Sequence, residues 1–123
     1  TKALFKARQK EGPNNFFALL EKIKQYYKLN QLNVPKICIL LPPPADEQKA
    51  DTIKYGGADN RLQVNNPLFR SIADSHQVTT IDLYKVLSEG ISEQTTDGIH
   101  LAEKAQFRVA GLIVQFMNSK IRK

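Results

Sequence analysis

The sequence contains few of the residues from which disulfides and metal centres are built. It has one cysteine, Cys38, and two histidines, His76 and His100. A single cysteine excludes an internal disulfide, and its position within an apolar run is typical of an inert core thiol. Because the two histidines are far apart and no cysteine pair accompanies them, we expect no metal site and no cofactor.

Long apolar segments are also absent. The longest run is Ile37–Leu41, which is too short for a membrane-spanning helix, so we expect no membrane span. No signal-peptide pattern is visible. The sequence begins at Thr1 rather than at a methionine, as it would if the natural N-terminus were missing.

What is present is the composition of an ordinary globular protein. The 123 residues are 41% hydrophobic and 24% charged, which indicates one folded domain at most. Residues 1–36 contain eight Lys or Arg and two Glu, so they account for the whole net charge of +6. Such an excess suits either an anionic partner or a solvated helix face. No nucleic-acid recognition motif accompanies it, so we expect the solvated face and no nucleic-acid binding.

The first half of the chain predicts one helix and one strand. Residues 1–12 fit a loop or a short helix, and Gly12-Pro13 is read as a breaker. Helical spacing of apolar residues predicts a helix over about 15–29, with Asn14 or Asn15 as its N-cap. The run Lys36–Leu41, ended by three prolines, predicts a strand buried on both faces. Residues 45–64 show no periodicity and predict a long loop, either functional or a mobile insertion.

The second half repeats the alternation of helix and strand. Asn66-Pro67 predicts a helix start, with Pro67 in the first helical position and an end near Ser75. Val78–Asp82 reads as the next strand. One or two helical turns follow over 83–88 until Gly90, and a final amphipathic helix is predicted over 101–118. This order favours a parallel α/β sheet. Because two strands are too few for a stable sheet, either the chain associates through its strands or part of the domain is absent.

Asp97 and His100 form the pattern that most resembles chemistry. The two residues lie close enough to share one tight loop, in which a carboxylate can hold the Nδ1–H of an imidazole and leave Nε2 to act as a base. Gly98 between them permits a backbone conformation closed to other residues. The pattern is short, and an ordinary loop aspartate beside a partly buried histidine would produce it too.

Three stretches together resemble the C-terminal half of an SGNH (GDSL-type) hydrolase. They are the strand Lys36–Leu41 with its Pro-Pro-Pro exit, the strand Val78–Asp82, and the block Thr96-Asp97-Gly98-Ile99-His100-Leu101 before a terminal helix. The resemblance implies a flavodoxin-like three-layer α/β/α sandwich with a parallel sheet, and ester hydrolysis. It also implies that His100 is the general base and that Asp97 orients it.

Three other blocks of that family are not found in the chain. They are the G-D-S nucleophile block, the glycine block and the G-x-N-D block, of which the latter two supply the oxyanion hole. None of the serines has a nucleophile-like context: Ser71, Ser75, Ser88, Ser92 and Ser119. The resemblance therefore implies that residues 1–123 are the C-terminal portion of a single domain. Roughly three strand–helix units, about 90 residues, would be missing.

Several expectations about function follow from this resemblance. The chain alone should be inactive. We expect it to pair with the missing N-terminal segment of the same domain. The substrate class implied is a small acyl ester, such as an acetyl group on a carbohydrate. The alternative is a non-catalytic α/β module that keeps the scaffold and binds a small molecule or another chain.

Overall fold

The computed structural model describes residues 11–121, and within them helices alternate with two strands. The elements are α1 (Glu11–Leu29), β1 (Cys38–Leu41), α2 (Thr52–Tyr55), α3 (Ala58–Ser75), β2 (Thr79–Asp82), α4 (Leu83–Leu87), α5 (Ile91–Gln94) and α6 (Glu103–Ile121). In this part of the chain β1 and β2 pair side by side in a two-stranded parallel sheet. The predicted α/β class with a parallel sheet is confirmed.

The chain divides into two compact units. Of the described residues, the first comprises 11–39 and 63–80, and the second comprises 40–62 and 81–121. The first unit has a core of Leu20, Ala73 and Val78, against which Phe16, Ile37, Ile39 and Ile72 pack. The second unit buries a different set of apolar side chains: Leu41, Ala45, Ala50, Leu83, Leu87 and Ala105. The C-terminal ends of both strands belong to this second unit.

The first helix begins earlier than its apolar spacing predicts. It begins at Glu11, so Gly12 and Pro13 lie in its first turn and neither Asn14 nor Asn15 is the N-cap. Proline is tolerated there because the first N–H groups of a helix have no intrahelical partner. Gly12 also lies against the ring of Phe69. A Cβ built on this glycine would lie 3.4 Å from the nearest atom of that ring. The remainder of the 1–12 segment, residues 1–10, lies outside the described residues.

The predicted long loop over 45–64 is wrong, because two helices begin within it. Asp51 Oδ1 accepts a hydrogen bond from the Ile53 N–H at 2.9 Å and so caps α2. Glu47 Oε1 accepts the Asp59 N–H at 3.0 Å at the start of α3. Within 45–64 these helices are held by capping side chains rather than by an apolar stripe, so no periodicity there reveals them.

Pro67 was predicted to open a helix, and this is also wrong because it lies inside α3. An interior proline costs a helix about 3 kcal/mol, since it removes a hydrogen bond and clashes with the preceding turn. Packing around it opposes that cost: Phe69 meets Phe16 at 5.3 Å between ring centroids, and Ala73 is fully buried.

Strand β1 is less buried than its apolar run predicts. Leu41 is buried, but Leu40 is exposed and Cys38 is partly so. A two-stranded sheet covers less of each strand than the larger parallel sheets from which the prediction was drawn. Helix α5, between the predicted turns and the Asp97 loop, was missed, because four residues after a glycine at φ +68° carry no helical period.

Candidate functional site

Residues 96–100 form a tight loop between α5 and α6 in the second unit. Thr95 and Leu101 form an antiparallel bridge at its base. The Thr96 N–H donates to the His100 carbonyl oxygen at 2.9 Å, and the Ala102 N–H donates to that of Gln94 at 2.8 Å. Backbone bonds therefore hold the ends of the loop together and present its tip, which carries the acid and the histidine.

Asp97 binds His100 through both of its carboxylate oxygens. Oδ1 accepts the backbone N–H groups of Ile99 at 3.0 Å and His100 at 2.7 Å. Oδ2 lies 2.6 Å from His100 Nδ1. The carboxylate thus shapes the backbone of the loop and also orients the imidazole. The contact predicted from the D-x-x-H spacing is present, with Nδ1 engaged and Nε2 left for another partner.

The charge on Asp97 is strongly favoured by these contacts. The backbone N–H of His100 lowers the pKa of the Asp97 carboxyl well below its ordinary value of 3.8, and the His100 side chain and the Ile99 N–H lower it further. A carboxylate that accepts several hydrogen bonds is stabilised in its ionised form. The imidazole therefore faces an acceptor that stays negative at neutral pH and well into the acidic range.

The pair is open to other molecules. The side chains of His100 and Asp97 are 69% and 50% exposed. In the described part of the chain the imidazole bonds to Asp97, while serine hydroxyls bond to backbone carbonyl groups elsewhere. Those serines are Ser75, Ser88 and Ser119, which donate to the carbonyl oxygens of Ile72, Tyr84 and Phe116. The structure thus brings together the predicted base and its acid, without a serine on the base.

Gly98 packs the loop against the segment that follows β1. Its carbonyl oxygen accepts the Asp46 N–H at 2.8 Å, and its φ is +90°. A Cβ on Gly98 would lie 2.5 Å from the Asp46 carbonyl oxygen and 2.6 Å from the Ala50 nitrogen. Asp46 follows the three prolines that end β1, so the loop lies against the segment leaving the C-terminal end of that strand, where ligands bind in open α/β sheets.

Sequence reasoning missed the residues that support this loop. Lys49 Nζ donates to the carbonyl oxygen of Thr95 at 2.9 Å. Asp59 accepts the Ala45 N–H at 3.0 Å with Oδ1 and the Tyr84 hydroxyl at 2.8 Å with Oδ2, and so joins the segments that follow the two strands. The one available signal was the position of Asp46 shortly after the three prolines that end β1. Nothing in the sequence marks Lys49.

The second histidine, His76, lies in the first unit and is buried. Lys24 Nζ lies 3.2 Å from its Nδ1 and donates to its carbonyl oxygen at 2.9 Å. The ring of Phe17 meets it edge-on at 4.8 Å between centroids. Packing and hydrogen bonding of this kind are those of a structural histidine.

Two further features are absent from the described residues. None of the helices within 11–121 combines the length and the apolar content that crossing a bilayer requires. Across the same range, no three His, Cys, Asp or Glu side chains converge as metal ligands would.

Comparison with known proteins identifies a structural neighbour. No protein-family model matches the sequence, and no curated protein matches it significantly. The structure is similar to the crystal structure of the lipase/acylhydrolase from Enterococcus faecalis, with a TM-score of 0.65 and 21% sequence identity. The similarity covers 88% of this chain and 52% of that protein, so the chain spans about half of its length. At this identity the likeness establishes the fold alone, which is the α/β fold of a lipase/acylhydrolase.

Proposed function

We propose that this chain is the C-terminal portion of an SGNH-type serine ester hydrolase and supplies the acid and the base of its triad. The observation that carries the proposal is the 2.6 Å contact between Asp97 Oδ2 and Nδ1 of an exposed His100. The fold shared with a lipase/acylhydrolase supports it. The nucleophilic serine and the oxyanion donors would come from a segment outside this sequence.

In this proposal His100 is the general base and Asp97 holds it in the required tautomer. With its proton on Nδ1 and directed at Asp97, the imidazole offers the Nε2 lone pair to a serine hydroxyl. The serine oxygen then attacks the ester carbonyl while its proton moves to Nε2. The ionised Asp97 stabilises the imidazolium that forms, and Nε2 returns the proton to the departing alcohol. Water, activated by the same nitrogen, then cleaves the acyl-enzyme.

The substrate we propose is a small acyl ester, such as an acetyl group on a carbohydrate. This choice of substrate rests on the resemblance of the D-G-I-H-L block to SGNH hydrolases and on the exposure of the His100 side chain. Since the oxyanion donors and the nucleophile account for most of the rate enhancement in triad enzymes, residues 1–123 alone should not hydrolyse such an ester. They should need the segment that carries the serine.

The test uses the full-length protein in which this sequence is continuous with its upstream segment. The substrate is p-nitrophenyl acetate, and wild type is compared with His100→Ala and His76→Gln. Loss of the base should lower kcat by about 10⁴-fold or more, whereas His76→Gln removes a histidine of the first unit and should retain kcat in its folded fraction. Added imidazole should restore part of the His100→Ala activity, because the vacated position is open to solvent. Wild-type kcat in His100→Ala would exclude the mechanism, whereas a full-length wild type that does not hydrolyse the ester would favour the non-catalytic module.

A further inference from the structure

The turn formed by residues 46–50 contacts both the Asp97 loop and the segment immediately before it. The Asp46 N–H donates to the Gly98 carbonyl oxygen in the middle of the loop, at 2.8 Å. At the other end of the turn, Lys49 Nζ donates to two carbonyl oxygens before the loop, those of Ser92 at 2.5 Å and Thr95 at 2.9 Å. The turn is itself closed by bonds from the Lys49 and Ala50 N–H groups to the Asp46 carbonyl oxygen.

The two carbonyl groups that Lys49 binds lie where the loop is anchored. Ser92 belongs to α5, and Thr95 follows its last residue and forms the bridge with Leu101. Carbonyl groups at the C-terminal end of a helix lack intrahelical donors, and a lysine ammonium is a favourable partner for them. Thr95 is buried, so water reaches this position poorly. One ammonium group therefore fixes the end of α5 and the first residue of the bridge together.

We infer that Lys49 is a positioning residue for the Asp97–His100 pair. This inference rests on the proposed function, in which the pair is the catalytic base and its orienting acid. Lys49 touches neither side chain of the pair. It acts through the residues that precede the loop. By holding the Ser92 and Thr95 carbonyl groups against the 46–50 turn, it fixes the position at which the chain enters the loop that carries Asp97. Without the ammonium group, only the contacts of Asp46 and Ala50 with Gly98 would remain among those described between the turn and the loop, and the Nδ1 contact would be held less rigidly.

Lys49→Met tests this, because methionine keeps an unbranched apolar side chain and removes the donor. Lys49→Arg restores a cation that can reach both carbonyl groups. The matched control is Lys54→Met, which removes an exposed lysine of helix α2. The Lys54 ammonium lies over the Tyr55 ring, 5.2 Å from its centroid. A purely stabilising lysine would lower the melting temperature and leave His100 unchanged in the folded state. The measurement must therefore report on the imidazole itself.

The first readout is the pair of ¹⁵N shifts of His100 in residues 1–123, recorded well below the melting temperature and above the pH range in which imidazole titrates. In wild type they should show a proton held on Nδ1. In Lys49→Met they should move towards those of an unrestrained imidazole, and Lys49→Arg and Lys54→Met should remain close to wild type. Unchanged His100 shifts in Lys49→Met would overturn the inference, whatever happens to the melting temperature.

The second readout is hydrolysis of p-nitrophenyl acetate by the full-length protein. Lys49→Met should lower kcat by roughly 10- to 100-fold with little change in KM, because a displaced base affects the reaction more than the binding of substrate. The two hypotheses fail separately. If His100→Ala keeps wild-type kcat, the proposed function is wrong even where the nitrogen shifts respond to Lys49. If His100→Ala is inactive and Lys49→Met changes neither shifts nor kcat, only the positioning role is wrong.

Discussion

Gly98 and Asp46 meet backbone to backbone, and their contact leaves no space for a side chain on Gly98. The Asp46 N–H donates to the Gly98 carbonyl oxygen at 2.8 Å. A Cβ on Gly98 would lie 2.5 Å from the Asp46 carbonyl oxygen. The glycine also has φ at +90°, in the region that other residues adopt only with strain. The glycine is therefore required both for the shape of the Asp97 loop and for its approach to the segment after β1.

Gly98→Ala should consequently destabilise the protein and displace the Asp97–His100 pair. The backbone conformation alone costs a non-glycine residue about 1–3 kcal/mol, and the overlap with Asp46 and Ala50 adds to that cost. Urea unfolding should show a lower midpoint with an unchanged slope. In the full-length protein kcat should fall as well.

Gly90→Ala is the matched control for Gly98→Ala. Gly90 also has a positive φ, +68°, but a Cβ built there meets no atom within 4 Å. Gly90→Ala should therefore lower the free energy of unfolding only by the cost of the left-handed backbone conformation, about 1–2 kcal/mol. Equal losses from the two substitutions would show that the close approach to Asp46 contributes nothing.

The sequence predicted those parts of the fold whose signal is local. The apolar run before three prolines became β1, the β-branched run after His76 became β2, and the periodic segment after Leu101 became α6. The contact between Asp97 and His100 was also predictable, because both residues lie within one turn of chain and a carboxylate readily accepts an imidazole Nδ1–H.

What the sequence did not reveal depends on contacts between distant residues. Asp59 joins Ala45 to Tyr84, and Lys49 joins the 46–50 turn to Thr95, 46 positions away. Neither residue lies in a periodic stretch or a motif. Helix α2 and the first part of α3 were missed for the same reason, since capping side chains hold them. Local patterns therefore identified the Asp97–His100 contact, but not the distant contacts of Lys49 and Asp59.

The charge on Asp97 should make the stability of the second unit depend on pH in the acidic range. The hydrogen bonds from His100 and Ile99 lower the pKa of the folded carboxyl below its ordinary value of 3.8. The unfolded state therefore binds a proton first as the pH falls, and the contribution of Asp97 to stability, fully present above that value, is lost as the pH falls through the lowered pKa.

Asp97→Asn separates this charge from the shape of the loop. The asparagine oxygen can still accept the backbone N–H groups of Ile99 and His100, but it carries no charge at any pH. Urea midpoints should show wild type more stable than Asp97→Asn at neutral pH, and the difference should begin to shrink as the pH falls below about 3.8 and keep shrinking towards the lowered pKa of the folded carboxyl. A difference that stays constant from neutral to acidic pH would contradict the ionised Asp97 described above.

Helix α6 carries a second apolar face that points to solvent, which predicts self-association of residues 1–123. Phe107, Val114 and Met117 are 71%, 53% and 56% exposed, and with Ala110 they recur at the three- and four-residue spacing of a helix seam. Sedimentation velocity should show oligomers that grow with concentration. The double substitution Phe107→Gln with Val114→Gln should reduce these oligomers while changing the free energy of unfolding by no more than roughly 0.5 kcal/mol per site, as is usual for surface positions.

The control is Gln115→Ser on the same helix, which leaves the apolar face intact and should associate like wild type. A wild-type chain that stays monomeric across the concentration range would contradict this prediction, because the apolar face would then remain exposed to solvent without association.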